Sequence, residues 1–216
     1  GTAGGRQVQS RPYRFDSSFY YRLPDAPLDQ AALPSGAKLS GAADQILELA
    51  DARAGYCLVL GGVDGSLALE LVRKSDLQVV VLEQDAARVR RIRAALDKAG
   101  VYGVRASVKE GSLGEGILGP MMFNLIVSER HLLEGQLPPA TGAEAVRSLV
   151  PSGGTLVLGQ TDNLGQAQRW LGQAASRLVR SDDGEARWLV HERPPLVGAG
   201  EWTHQYGNAQ NTSCSG

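Results

Sequence analysis

The residues best placed to do chemistry fall in two short stretches. The first is the turn Gly61-Gly62-Val63-Asp64-Gly65-Ser66, which follows the apolar run Tyr56-Cys57-Leu58-Val59-Leu60. Glycines let a backbone approach a ligand closely, and a helix opening at Ser66 offers N–H groups that no helical carbonyl accepts. The second is Glu83, 22 residues after Gly61, at the end of the apolar run Leu77 to Leu82. A carboxylate at that distance, at the end of the next strand, is placed to accept hydrogen bonds from ribose hydroxyls. Turn and acid in this order point to an adenosine-bearing cofactor.

Other chemistries find less support. A nicotinamide site wants G-x-G-x-x-G, and those positions here read Gly61, Val63 and Ser66. A phosphate-binding Gly-Lys-Ser/Thr is absent, as are a G-x-S-x-G elbow and a recognisable triad. His131, His191 and His204 are far apart with no ligand spacing, so no metal centre is expected. Asp64 either faces a cofactor or caps a helix. Ser128-Glu129-Arg130-His131 follows a strand and reads first as a surface loop; Glu129 and His131 are the alternative, as candidate bases, and no catalytic residue is assigned. Arg88, Arg90, Arg91 and Arg93 read as a solvated helix face rather than a nucleic-acid contact, and Cys57 as inert core.

The elements that must position these residues alternate regularly. Ser40 is the expected cap of a helix over 41–53. Strands are predicted at 56–60, 77–82, 104–108, 123–127 and 155–158, separated by helices at 66–74, 85–99, 143–149 and 163–174. Two further strands, 177–180 and 186–192, flank an Asp-Gly turn at 183–184. Alternation implies a doubly wound, mostly parallel sheet, and the final hairpin adds an antiparallel edge, for seven strands in all. In such a sheet ligands bind beyond the carboxyl ends of the strands, where the strand order switches.

The chain resembles the class I S-adenosylmethionine-dependent methyltransferases over about residues 41–192. Gly61 and Gly65 match that family's acid-x-Gly-x-Gly-x-Gly motif, Glu83 its ribose-binding acid and Gln84 the residue beside adenine. Glu110-Gly111-Ser112-Leu113 is similar to a Gly-Asp-Leu segment, Phe123-Asn124-Leu125-Ile126-Val127-Ser128 to Phe-Asp-Leu-Ile-Val-Ser, and Val150-Pro151-Ser152-Gly153-Gly154-Thr155-Leu156 to Leu-x-Pro-Gly-Gly-x-Leu. The resemblance implies S-adenosylmethionine held by Gly61, Gly62, Gly65, Glu83, Gln84, Gly111, Ser112 and Ser128, with methyl transfer to an unidentified acceptor. Four positions depart from the pattern: Val59 and Ser112 stand for acids, Val63 for the middle glycine and Asn124 for an aspartate. Those departures carry the rival reading, a non-catalytic domain within a larger protein.

The domain is expected at 40–193. Residues 1–39, with Tyr13, Phe15, Phe19, Tyr20, Tyr21 and prolines that include Pro24, Pro27 and Pro34, read as an extended arm docking on it. Residues 194–216 read as a linker or tail. Trp202-Thr203-His204-Gln205-Tyr206-Gly207, followed by Asn211-Thr212-Ser213, resembles the opening of quinoprotein-type (PQQ-like) β-propellers. With no initiator Met, the chain is expected to be an excerpt of a longer protein, linked to a propeller. A working methyltransferase implies the cytoplasm; the propeller implies the periplasm or secretion.

Composition sets the outer bounds. The 216 residues suit one domain with margins, given about 100–200 residues per domain. Charge is balanced, with 22 Lys+Arg against 23 Asp+Glu, so no overall field attracts nucleic acid. Two cysteines exclude a disulfide framework, and no apolar run reaches the ~18 residues of a membrane span.

Overall fold

Strand β1 (Ala54–Leu60) is the axis of the fold. In the computed structural model, which describes residues 37–159, 164–172, 174, 177–180 and 187–198, its Cys57, Leu58, Val59 and Leu60 are buried. Their side chains alternate: Cys57 and Val59 join one apolar cluster, Leu58 and Leu60 the other. That is the two-residue repeat of a strand covered on both faces, and it explains why the run is continuously apolar.

Around β1 the chain runs α1 (Ala37–Ala50), β1, α2 (Ser66–Lys74), β2 (Asp76–Glu83), α3 (Ala86–Lys98), β3 (Ala106–Glu110), a 3-10 turn (Leu113–Glu115) and β4 (Leu125–Val127). It continues through α4 (Glu129–Glu134), α5 (Gly142–Ser148), β5 (Thr155–Gly159), α6 (Leu164–Leu171), β6 (Arg177–Arg180) and β7 (Arg187–Glu192). The strands lie in the order β3-β2-β1-β4-β5-β7-β6. Strands β1 to β5 pair in parallel, and β7 runs antiparallel to both β5 and β6. The doubly wound, mostly parallel sheet with a C-terminal antiparallel pair therefore forms as the sequence predicts.

Helices α1, α2 and α3 bury Ile46, Leu71 and Ile92 on one face; α5, α6 and the 3-10 turn bury Ala145, Leu171 and Leu113 on the other. Each fully buried Leu or Ile contributes about 1.5–3 kcal/mol. Chain order reverses at β1, with β2 and β3 on one side and β4 on the other. The crevice at the carboxyl ends of β1 and β4 is the place where such sheets bind ligands.

Several boundaries differ from expectation. Helix α1 begins upstream of Ser40, which lies inside it instead of capping it; Leu39, 2% exposed, belongs to the core and draws the start back. The helix stops at Ala50, before Asp51 turns left-handed at φ 47°. Strand β1 starts two residues early, at Ala54. Strand β3 starts at Ala106, since the N–H groups of Val104, Arg105 and Ala106 all donate to the Val101 carbonyl in a turn. Between β3 and β4 only the three-residue 3-10 turn is helical. An open groove of about 200 Å³ lies instead by the amino-terminal parts of β1, β2 and β3, lined by Tyr56, Gln78, Val80, Arg105 and Ser107. The expected aromatic arm up to residue 36, the Asp-Gly turn within 181–186 and the propeller-like stretch within 199–216 lie outside the described residues.

Candidate functional site

Three segments meet at the carboxyl ends of β1, β2 and β4. The Gly61 N–H donates to the Leu82 carbonyl at 2.9 Å, and the Arg130 N–H to the Gly61 carbonyl at 2.8 Å. The Gly111 N–H reaches the Glu83 carbonyl at 3.0 Å, which brings Ser112 to the same edge. Ser128 caps α4, its Oγ accepting the His131 N–H at 3.2 Å. The glycine turn, Glu83 with Gln84, Gly111 with Ser112, and Ser128 thus share one edge of the sheet.

Glu129 fills the turn. Its Oε2 accepts the N–H groups of Val63 (2.5 Å), Asp64 (3.2 Å) and Gly65 (3.2 Å). Its Oε1 accepts the Leu67 N–H at 2.8 Å and the Ser66 hydroxyl at 3.3 Å. Successive backbone N–H groups running into a helix N-terminus make an anion cradle, and here the chain supplies its own anion. Burial pushes the Glu129 pKa up; the Val63 and Leu67 amides oppose that, while Asp64 adds to it.

Glu83 is fully buried, and both its oxygens lie 2.8 Å from Arg130 Nη2. Its Oε1 also accepts the N–H groups of Gln84 and Asp85, each at 2.9 Å. The Arg130 side chain is 16% exposed. Arg130 also stands over the turn: a Cβ on Gly61, whose φ is 70°, would come within 3.2 Å of Arg130 Cβ and 3.1 Å of Pro139 Cδ. The sequence reading passed over Arg130. The signal that could have found it is Glu83 itself, because a buried carboxylate calls for a cation nearby.

Two of the turn's glycines have a packing reason as well. A Cβ on Gly62 would lie 2.5 Å from Ile92 Cδ1 and 2.8 Å from Val81 Cγ1. Gly65, at φ 86°, would place one 3.0 Å from Ile92 Cγ2. Helix α3 therefore needs both glycines in order to seat Ile92. Asp64 accepts the Ser66 N–H at 3.0 Å and its hydroxyl at 2.5 Å in a local turn, while the cap residue of α2 is Gly65, so the capping expectation is not met.

The exposed-loop reading of 128–131 is overturned. Residues 129–134 form a short helix in which Glu129 is wholly buried and His131 1% exposed. His131 Nδ1 lies 3.2 Å from the Gly159 carbonyl; burial pushes its pKa below the ordinary value, and that carbonyl acts the other way. Asn124 sits at the opposite, amino end of the strands, where its Oδ1 accepts the Tyr56 N–H at 3.0 Å, so its replacement of an aspartate does not touch this edge. The solvated-face reading of α3 holds at Arg90 and Arg91, which are exposed, and fails at Arg88, which pairs with Glu134 at 3.0 Å, and at Arg93, which donates to the Val108 carbonyl at 3.1 Å. Cys57 is buried, and burial pushes its thiol pKa up. Among the described residues no group of three or more His, Cys, Asp or Glu could hold a metal ion, and no helix is long and apolar enough to cross a membrane.

An adenosyl group could use the Glu83 carboxylate only with Arg130 displaced, because Arg130 holds both of its oxygens.

No protein-family model and no curated protein matches the chain. Solved structures do. One is a protein assigned as an S-adenosylmethionine-dependent methyltransferase from Methanococcus maripaludis, at 16% identity and TM-score 0.61, covering 73% of this chain and 85% of that one. Another is an RNA methyltransferase from Salinibacter ruber in complex with S-adenosylhomocysteine, at 20% identity and TM-score 0.52, covering 72% and 92%. A third is the cyclase SpnF, at 12% identity and TM-score 0.55, covering 73% and 82%. At these identities the likeness establishes the fold, that of S-adenosylmethionine-dependent methyltransferases. The cyclase shows that the fold does not dictate the reaction.

Proposed function

We propose that this edge binds an adenosyl cofactor of the S-adenosylmethionine type and that the chain is a methyltransferase-fold domain serving an unidentified acceptor. The observation that carries the reading is Glu83. It is a buried carboxylate at the carboxyl end of β2, next to the point where strand order reverses. In this reading Glu83 takes the ribose, the backbone at Gly61, Gly62 and Gly65 lies against the cofactor, and Gln84, Gly111, Ser112 and Ser128 flank it. The bound cofactor would supply an electrophilic methyl group. The chain's contribution is to hold and orient it, which alone can supply much of the acceleration of a transfer between two bound groups. Glu129 is engaged by the turn and His131 is buried, so no general base is assigned.

A second reading, a non-catalytic domain within a larger propeller-containing protein, draws on Glu129 and Arg130. Between them they satisfy the turn and Glu83 from inside the chain. Calorimetric titration with S-adenosylhomocysteine, repeated on Glu83→Ala, separates the two. Micromolar binding that Glu83→Ala abolishes supports the cofactor site. No heat and no thermal shift at millimolar ligand overturns it and leaves the structural domain.

A further inference from the structure

Among the described residues at this edge, Arg130 is the side chain whose bonds to Glu83 a ribose would have to replace. We infer that it is an internal competitor for the ribose position: it occupies Glu83, and it must leave before vicinal hydroxyls can use that carboxylate. The inference rests on the reading of this edge as an adenosyl site.

The competition is geometric first. Arg130 Nη2 stands 2.8 Å from each Glu83 oxygen, so one donor nitrogen blocks both acceptors that a pair of hydroxyls would seek. The exchange also leaves no orphan behind. When Arg130 departs, Glu83 keeps the N–H groups of Gln84 and Asp85, and the incoming hydroxyls replace the guanidinium. Arg130 already borders solvent and can regain water there.

The closed arrangement is itself incomplete, because the buried Arg130 Nε–H has no partner among the described residues. A buried donor left unmet weakens the state that contains it. The backbone, by contrast, is pinned. The Arg130 N–H is held by the Gly61 carbonyl, Ser128 caps the helix, and the neighbouring Glu129 is locked into the turn. Opening therefore requires rotation of one side chain, with α4 left in place.

A ligand that binds only the open form has its affinity reduced by the fraction of molecules that are open. Minor states of this kind are commonly populated at about 0.1–10%, so removing the competitor should tighten binding by about tenfold or more.

The test is calorimetric titration of S-adenosylhomocysteine into the wild-type chain, Arg130→Ala and Arg130→Met, each checked for a cooperative melt. Methionine keeps an unbranched stem over Gly61 and serves if the alanine variant does not fold. Tighter binding by about tenfold or more in a folded variant is the expected result. Equal binding in wild type and variant overturns the competition while leaving the adenosyl site standing. Weaker binding in the variant also overturns it and makes Arg130 a ligand contact instead. No binding by any folded form overturns both the competition and the reading of the edge on which it rests.

Discussion

Glu129 and Glu83 are carboxylates buried at the same edge of the sheet, and they are held in contrasting ways. Glu129 accepts four backbone N–H groups and a hydroxyl, all from 63–67. None of the four backbone donors can swing away without unmaking the turn and the start of α2. Glu83 accepts two backbone N–H groups and one guanidinium, and the guanidinium belongs to a long side chain beside solvent. One carboxylate is part of the frame, and the other has an exchangeable partner. The lesson is that burial alone does not separate a structural acid from a binding one. What separates them is whether the partner can leave.

That contrast can be broken most directly at Glu129. Glu129→Ala leaves several buried N–H groups without an acceptor and should cost about 3–5 kcal/mol in a urea unfolding experiment. A loss below about 1 kcal/mol would remove Glu129 from the frame. Arg130→Ala should cost less, about 1–3 kcal/mol, since Glu83 retains two backbone donors. An equal loss at the two positions would erase the distinction.

A pH series sharpens the comparison by supplying the slope due to a neighbour. His131 has a folded-state pKa below its ordinary 6.5. The unfolded chain therefore takes up the proton first, so the His131 contribution is present above about pH 6.5 and is lost as pH falls below it. Denaturant midpoints between pH 7.5 and 5 should fall in the wild type and fall less steeply in His131→Gln; parallel slopes would refute the assignment. The smallest effect is expected at Arg88. Its pairing with Glu134 is partly exposed on both sides, so Arg88→Gln should change stability by no more than about 1 kcal/mol, less at high salt. It is the benchmark for an ion pair that matters little.

Much of the frame was legible because it is written locally. The continuously apolar runs around Leu58, Val80 and Leu156 report strands covered on both faces, and Asp85 marks the start of α3, where its side chain accepts the Ala87 and Arg88 N–H groups. The edge of the sheet was legible only in part. The turn and Glu83 carry signals of spacing, and the structure does bring them together. Glu129 and Arg130 carry none, since their partners lie 62 to 66 and 47 positions away. A polar run such as Ser128-Glu129-Arg130-His131 looks solvent-facing by composition, because Glu and His are seldom fully buried without partners that only the fold supplies. The glycines misled in another way: Ile92 makes Gly62 and Gly65 necessary whether or not a ligand approaches.

The Glu129 cradle also has a consequence in time. Loop amides ordinarily exchange their hydrogens with solvent quickly, because opening a loop costs little. The amides of Val63, Asp64, Gly65 and Leu67 all end on one buried carboxylate that is fixed to α4, at the end of the neighbouring strand β4. Releasing any one of them means withdrawing that carboxylate from all four. The turn should therefore exchange as a single slow unit on the clock of the sheet, a loop in shape that keeps the tempo of the core.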